Sequence, residues 1–149
     1  PSLFRSLSVG VVSPKGTHTG DKDTARIFEE AEKHLHGAPD QRDSAEAVFW
    51  LKRYLAGAIG DEHTVWALTQ LGTQFAEPTS GIPDFAVARV LWEIAGAYGD
   101  PVAMCFLGTL HESGLGVPAD RRVALLWFQR AKQSGGCQAA DEAINRLSR

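Results

Sequence analysis

The feature that most restricts the fold of this chain is a period. Shifted by 36 residues, Ala67, Leu71, Gly72, Thr73, Asp84, Val87, Ala88, Ala95 and Gly99 fall on Ala103, Leu107, Gly108, Thr109, Asp120, Val123, Ala124, Ala131 and Gly135. Nine identities over 33 aligned positions is several times what unrelated sequences of this composition give. A period of this length marks a stacked array, because one unit cannot bury its own apolar face and needs neighbours to do so. An earlier unit follows more loosely. Ala31 and Leu35 align with Ala67 and Leu71, and Ala56 and Gly60 align with Ala95 and Gly99 after a three-residue difference in length. Ala139 and Ala143 continue the 36-residue step, so the last segment reads as the first helix of a further unit.

Within each unit the text is helical. Residues 24–36 place Ile27, Phe28, Ala31 and Leu35 on one face with Glu29, Glu30, Glu32 and Lys33 between them. Gly37 and Pro39 end that helix, and Asp43-Ser44-Ala45-Glu46 caps a second one. Further helices are expected over about 62–76, 85–98, 101–112, 121–134 and 138–147, separated by glycines and prolines. No stretch after Asp21 alternates as a strand does. The recurring alanines let helix axes approach to the short end of the 8–10 Å range. Gly72 and Gly108 each cost about 1 kcal/mol of helix propensity, which close contact with a neighbouring helix has to offset. Trp92, Trp127, Phe128, Phe85 and Leu107 are the bulk that fills the space between units.

The run 103–135, AMCFLGTLHESGLGVPADRRVALLWFQRAKQSG, resembles the Sel1-like repeat, a relative of the tetratricopeptide repeat. The matching residues are Ala103, Leu107-Gly108, Gly114-x-Gly116-Val117, Asp120, Ala124, Trp127-Phe128, Ala131 and Gly135. The preceding unit keeps Leu71-Gly72, Gly81-Ile82, Asp84, Ala88 and Ala95, and departs at Pro78 and Leu91. The resemblance implies an all-α protein: a right-handed α/α superhelix of about three Sel1-like helix pairs plus a terminal helix. The units are expected at about 21–60, 61–99 and 100–135 within a repeat domain over 21–149, with the terminal helix at 137–148. Such a protein acts as an adaptor or regulatory module, with each first helix lining a concave face that binds a protein or peptide. On the expected first helices the candidate contact residues are Trp66, Gln70, Gln74, Met104, Cys105, Thr109 and His111. Trp66 and Met104 fit the inter-helix core equally well by residue type.

Composition narrows the function. Fifteen basic against 18 acidic residues leave a net charge of −3, without the basic stripe of a nucleic-acid binder. No apolar run approaches the roughly 20 residues that span a bilayer. Catalytic signatures are missing: there is no GxSxG, phosphate-loop or HExxH pattern, and Ser113 beside His111 and Glu112 points a different way around a helix. Glu30 and His34 share a helical face, but His36 sits about 200° round from His34, so neither a metal nor another cofactor is expected. Cys105 and Cys137 fall on neighbouring first helices at non-equivalent positions, with Cys137 aligned to Pro101. A bridge needs Cα atoms within about 7 Å, closer than such helices run, so the expectation is two buried or half-buried thiols. The two cysteines do not fix a compartment, and a bacterial periplasm or a mitochondrion both fit.

The segment 1–20 is Ser-, Gly- and Thr-rich, with Arg5 and Lys15 its only charges. Pro1 in place of Met reads as a processed or truncated terminus, and the composition suits an organellar presequence as well as an ordinary tail. Leu3, Phe4 and Leu7 are its apolar anchors, expected to dock this arm on the array or on a second copy of the protein. The function expected from sequence is therefore non-catalytic protein recognition. Two alternatives stand beside it: an immunity or periplasmic regulatory protein that neutralises an enzyme, and an organelle assembly factor that binds haem or metal.

Overall fold

The structure is a computed structural model that describes residues 22–57, 63–79 and 81–149. Seven α-helices make up its regular structure, and there is no strand among the described residues: α1 (Lys22–His36), α2 (Ser44–Gly57), α3 (Thr64–Ala76), α4 (Phe85–Ala97), α5 (Pro101–Ser113), α6 (Arg121–Gln133) and α7 (Ala140–Leu147). Each helix packs chiefly on the next in sequence, giving pairs α1/α2, α3/α4 and α5/α6, with α7 against α6.

One local device recurs in every pair. The N–H of Asp43, Asp84 or Asp120 donates to the carbonyl of His34, Phe75 or His111, at 3.3, 2.8 and 2.8 Å, closing the loop between the two helices. The carboxylate of the same residue then caps the second helix. Asp43 accepts from the N–H of Ala45 and Glu46, Asp84 from Val87, and Asp120 from Arg122 and Val123. An aspartate at this position satisfies amides that the first helical turn leaves without partners.

The same bonds set the true register of the first unit. Asp43 and Asp84 stand 41 residues apart, whereas Asp84 and Asp120 stand 36 apart. The first-unit partners of Ala88, Trp92 and Ala95 are therefore Ala47, Leu51 and Tyr54, all buried, and not the expected Ala56, which is exposed; likewise Ala31 and Leu35 match Gly72 and Ala76, not the expected Ala67 and Leu71. Gly60 lies outside the described residues. The pair loops are equally long, so the extra residues fall in the connection from α2 to α3. A constant-step comparison cannot absorb an insertion there.

The glycines do what close packing requires. A Cβ on Gly108 would lie 2.8 Å from the Phe128 ring, and one on Gly72 would lie 2.7 Å from Cδ1 of Trp92. Ala31, with no exposure, takes the matching place in α1, where the facing residue of α2 is the smaller Leu51. Small against large is thus the rule of each pair.

The cysteines overturn the expectation of free thiols. Cys105 and Cys137 form a disulfide, with Cα atoms 6.5 Å apart. The expectation failed because Cys137 is not helical. Gly135 and Gly136 adopt φ of 120° and 80°, conformations open to glycine, and α7 starts only at Ala140. The glycine turn brings Cys137 up to α5, so helix-to-helix spacing does not apply. Around this staple α7 is fastened by polar contacts. Arg146 makes a two-pronged bridge to Glu112 at 2.8 and 2.9 Å, and Arg121 donates to the carbonyls of Arg146, Leu147 and Arg149.

Candidate functional site

The expected contact residues divide into three groups. At about 100° per residue, with Gly72 marking the direction of α4, Trp66, Gln70 and Thr73 share one flank of α3. Thr109 takes the same flank of α5, one repeat further on. Met104 and His111 lie on the opposite flank of α5. Met104 packs with its Cγ 3.5 Å from where a Cβ on Gly96 would stand, in the core shared with Phe128 and Ala131. His111 is half-buried at the loop end, its carbonyl taken by Asp120. Gln74 forms the third group: its Oε1 accepts from the Ser44 hydroxyl at 2.8 Å, and Ser44 also exchanges bonds with Thr79. Gln74 is a tie between the first and second pairs.

The shared flank is well enclosed. Trp66 is 6% exposed, Gln70 2% and Thr109 7%. Much of its polar capacity is already spent. Thr73 and Thr109 each donate to the carbonyl four residues back, at 3.0 Å in both cases. Thr69 donates to the Asp100 carboxylate, which also caps α5 through the N–H of Val102. Trp92 Nε1 donates to the Thr69 carbonyl at 3.1 Å. Trp66 differs. Its ring packs on Phe28 with centroids 4.8 Å apart, and Phe28 in turn meets Tyr54 and His63. Its Nε1–H is buried and has no hydrogen-bond partner among the described residues. A buried donor left unmade costs about 1–3 kcal/mol, so this atom is the conspicuous unmet demand of the flank.

Other sequence candidates have structural employment. His34 bonds the Gln41 carbonyl through Nδ1 at 3.0 Å, and partial enclosure lowers the pKa of His36, with Glu32 opposing the shift. No group of three or more His, Cys, Asp or Glu among the described residues could hold a metal ion. No helix among them is long and apolar enough to cross a membrane. Leu3, Phe4 and Leu7 lie outside the described residues.

Two groups escaped the sequence reading. A small cleft between α1 and α2 is lined by Asp23, Arg26, Ile27, Trp50 and Arg53. On α4 and at its C-cap, Val87, Val90, Ile94 and Tyr98 are exposed along one face. The signal for the second was legible: PDFAVARVLWEIAGAYG is apolar around nearly the whole helix, more than one buried face needs. The first had none, because Arg26 and Arg53 are 27 residues apart and only the helix pairing brings them together.

The fold and its repeating loop closure define an α/α repeat protein of the superhelical class. The family model of the Sel1 repeat matches residues 34–53 and 101–136. The crystal structure of a Sel1 repeat protein from Oxalobacter formigenes superposes with a TM-score of 0.65 at 26% sequence identity, over 81% of this chain and 47% of that one. The protein therefore spans about half the length of that solved structure. No curated protein matches significantly. The chain therefore carries Sel1 repeats at the matched residues and has the fold of a Sel1 repeat protein; proteins built of such repeats generally mediate protein–protein interaction through a scaffold that is typically non-catalytic.

Proposed function

We propose that this protein is a non-catalytic adaptor that binds a protein or peptide partner on the concave face of its stack, the flank bearing Trp66, Gln70 and Thr109. One observation carries the reading. The Trp66 Nε1–H lacks an acceptor among the described residues, and a backbone carbonyl of an extended partner supplies one. Gln70, one turn along, offers the donor and acceptor of an amide to the same strand of partner backbone. A stack already formed before binding limits the ordering cost of association. The indole is enclosed in the free protein, so engagement includes a local rearrangement over α3. Gln74, Met104 and His111 support this face from outside it: Gln74 by tying α3 to α2, Met104 by filling the core, His111 by closing the loop to α6.

The test separates the donor from the ring. Trp66→Phe keeps the packing on Phe28 and removes only the orphan N–H. With the partner isolated by affinity capture and then purified, W66F is expected to bind it about ten-fold more weakly, the worth of one buried hydrogen bond, without loss of thermal stability. Equal affinity of W66F, Gln70→Ala and the parent protein would refute the concave-face assignment.

A further inference from the structure

We propose that the α1–α2 cleft is a second recognition site, one that takes a carboxylate presented by a polypeptide beside an apolar residue. The cleft has a volume of about 90 Å³ and is lined by Asp23, Arg26 and Ile27 from α1 and by Trp50 and Arg53 from α2. That is too small for an ordinary small-molecule site of 300 Å³ or more, and it suits a single head group. Among the described residues its lining carries two guanidinium groups and one carboxylate.

Both arginines of the cleft have their charge unspent, as do Arg122, Arg130 and Arg149, but only these two stand together in one cleft. Arg89 pairs with Glu93, Arg146 with Glu112, and Arg121 with three carbonyls. Arg26 and Arg53 make no ion pair or hydrogen bond with the described residues, and both are exposed. Arg53 lies over the Trp50 ring with its Cζ 5.9 Å from the centroid, which limits how far its fork can swing. Half-buried Trp50 and Ile27 form an apolar floor, and an ion pair beside such a floor is screened less than one in open water. Planar forks match a carboxylate in two-pronged geometry, which a lysine pair would not. Phe49, 53% exposed and edge-on to Trp50 at 5.1 Å, extends the apolar surface away from the cleft. An aliphatic or aromatic neighbour of the bound carboxylate covers it. Arginine and tryptophan are also among the residue types enriched at the energetic centres of protein interfaces.

The carboxylate can belong to a Glu or Asp side group or to the C-terminus of a polypeptide, and the experiment tells these apart. The 149-residue chain, labelled with 15N, is titrated with four probes while the Trp50 indole and the arginine Nε–H signals are followed. The probes are acetyl-Leu-Glu-Leu-amide, acetyl-Leu-Leu with a free C-terminus, acetyl-Leu-Gln-Leu-amide and inorganic phosphate. Expected is a saturable shift at Trp50 with one of the two carboxylate probes, at least about ten-fold tighter than with the glutamine peptide. Arg26→Gln and Arg53→Gln each weaken it by about ten-fold, Arg26→Lys and Arg53→Lys by less, and Arg122→Gln on α6 leaves it unchanged. Equal binding of the glutamine peptide, tighter binding of phosphate than of either carboxylate, or unaltered affinity in both glutamine variants would overturn the proposal. Trp66→Phe is expected to leave this binding intact, so failure of the concave-face reading and failure of this one remain distinct.

Discussion

In the second helix pair the residue set against the mid-helix glycine is Trp92; in the third it is Phe128. Both rings are buried, and both sit against a glycine that leaves no room for a methyl group. The indole adds a hydrogen bond from Nε1 to the Thr69 carbonyl, which a phenyl ring cannot make. The third pair has other compensation. Gly114 ends α5 in a left-handed conformation at φ 68°, Gly116 comes close against Phe85 at the start of α4, and the disulfide ties α5 to the turn before α7. One packing rule is therefore held in two ways, by a side-group hydrogen bond in one pair and by backbone constraint in the other.

Trp92→Ala should have the largest effect, about 3–5 kcal/mol in chemical denaturation, and should exceed Phe128→Ala because the indole bond is lost as well. If the two cost the same, the bond contributes nothing and the pairs are equivalent. Cys137→Ser comes next at about 2–4 kcal/mol, since it opens a loop that spans all of α6. Hydrogen exchange should show the lost protection in α6 and α7 and little change in α3 and α4. Loss spread evenly over both pairs would show that the staple is not local. Gly72→Ala and Gly108→Ala should each cost about 1–3 kcal/mol, as overpacking outweighs the gain in helix propensity. Gly72→Ala should be the worse of the two in thermal melts, because it displaces the ring that makes the Thr69 bond.

Cap removal should separate the pairs more finely. Asp120 accepts two amides and Asp84 one, so Asp120→Ala should cost more than Asp84→Ala, both near 1 kcal/mol. The smallest effect is expected on the outer face. Ile94→Arg, which gives α4 the residue that α6 has in Arg130, should change stability by no more than about 0.5 kcal/mol, since Ile94 is already exposed.

The helices, their caps and the 36-residue step were legible because each rests on residues near one another in sequence. Asp84 and Asp120 announce helix starts, Gly114 and Gly135 announce ends, and Ala88 and Ala124 announce close crossings. Met104 was legible only as apolar: its type suits a groove or a core, and contact with α4 places it in the core. Trp66 was read correctly as a residue of the first helix in its pair, while the lack of a partner for its Nε1 among the described residues is visible only in the packed structure.

By itself, then, the amino-acid order determined that short helices form, pair and stack, since propensity, capping and periodic burial act over one or two turns. Tertiary structure alone decided that Cys137 meets Cys105, that the first unit is spaced by 41 residues, and that Arg26 and Arg53 share a cleft. Each of these depends on how a connection folds back and where it sets down a distant residue. Distances of that kind are set by the summed packing of several helices, and no local pattern encodes them.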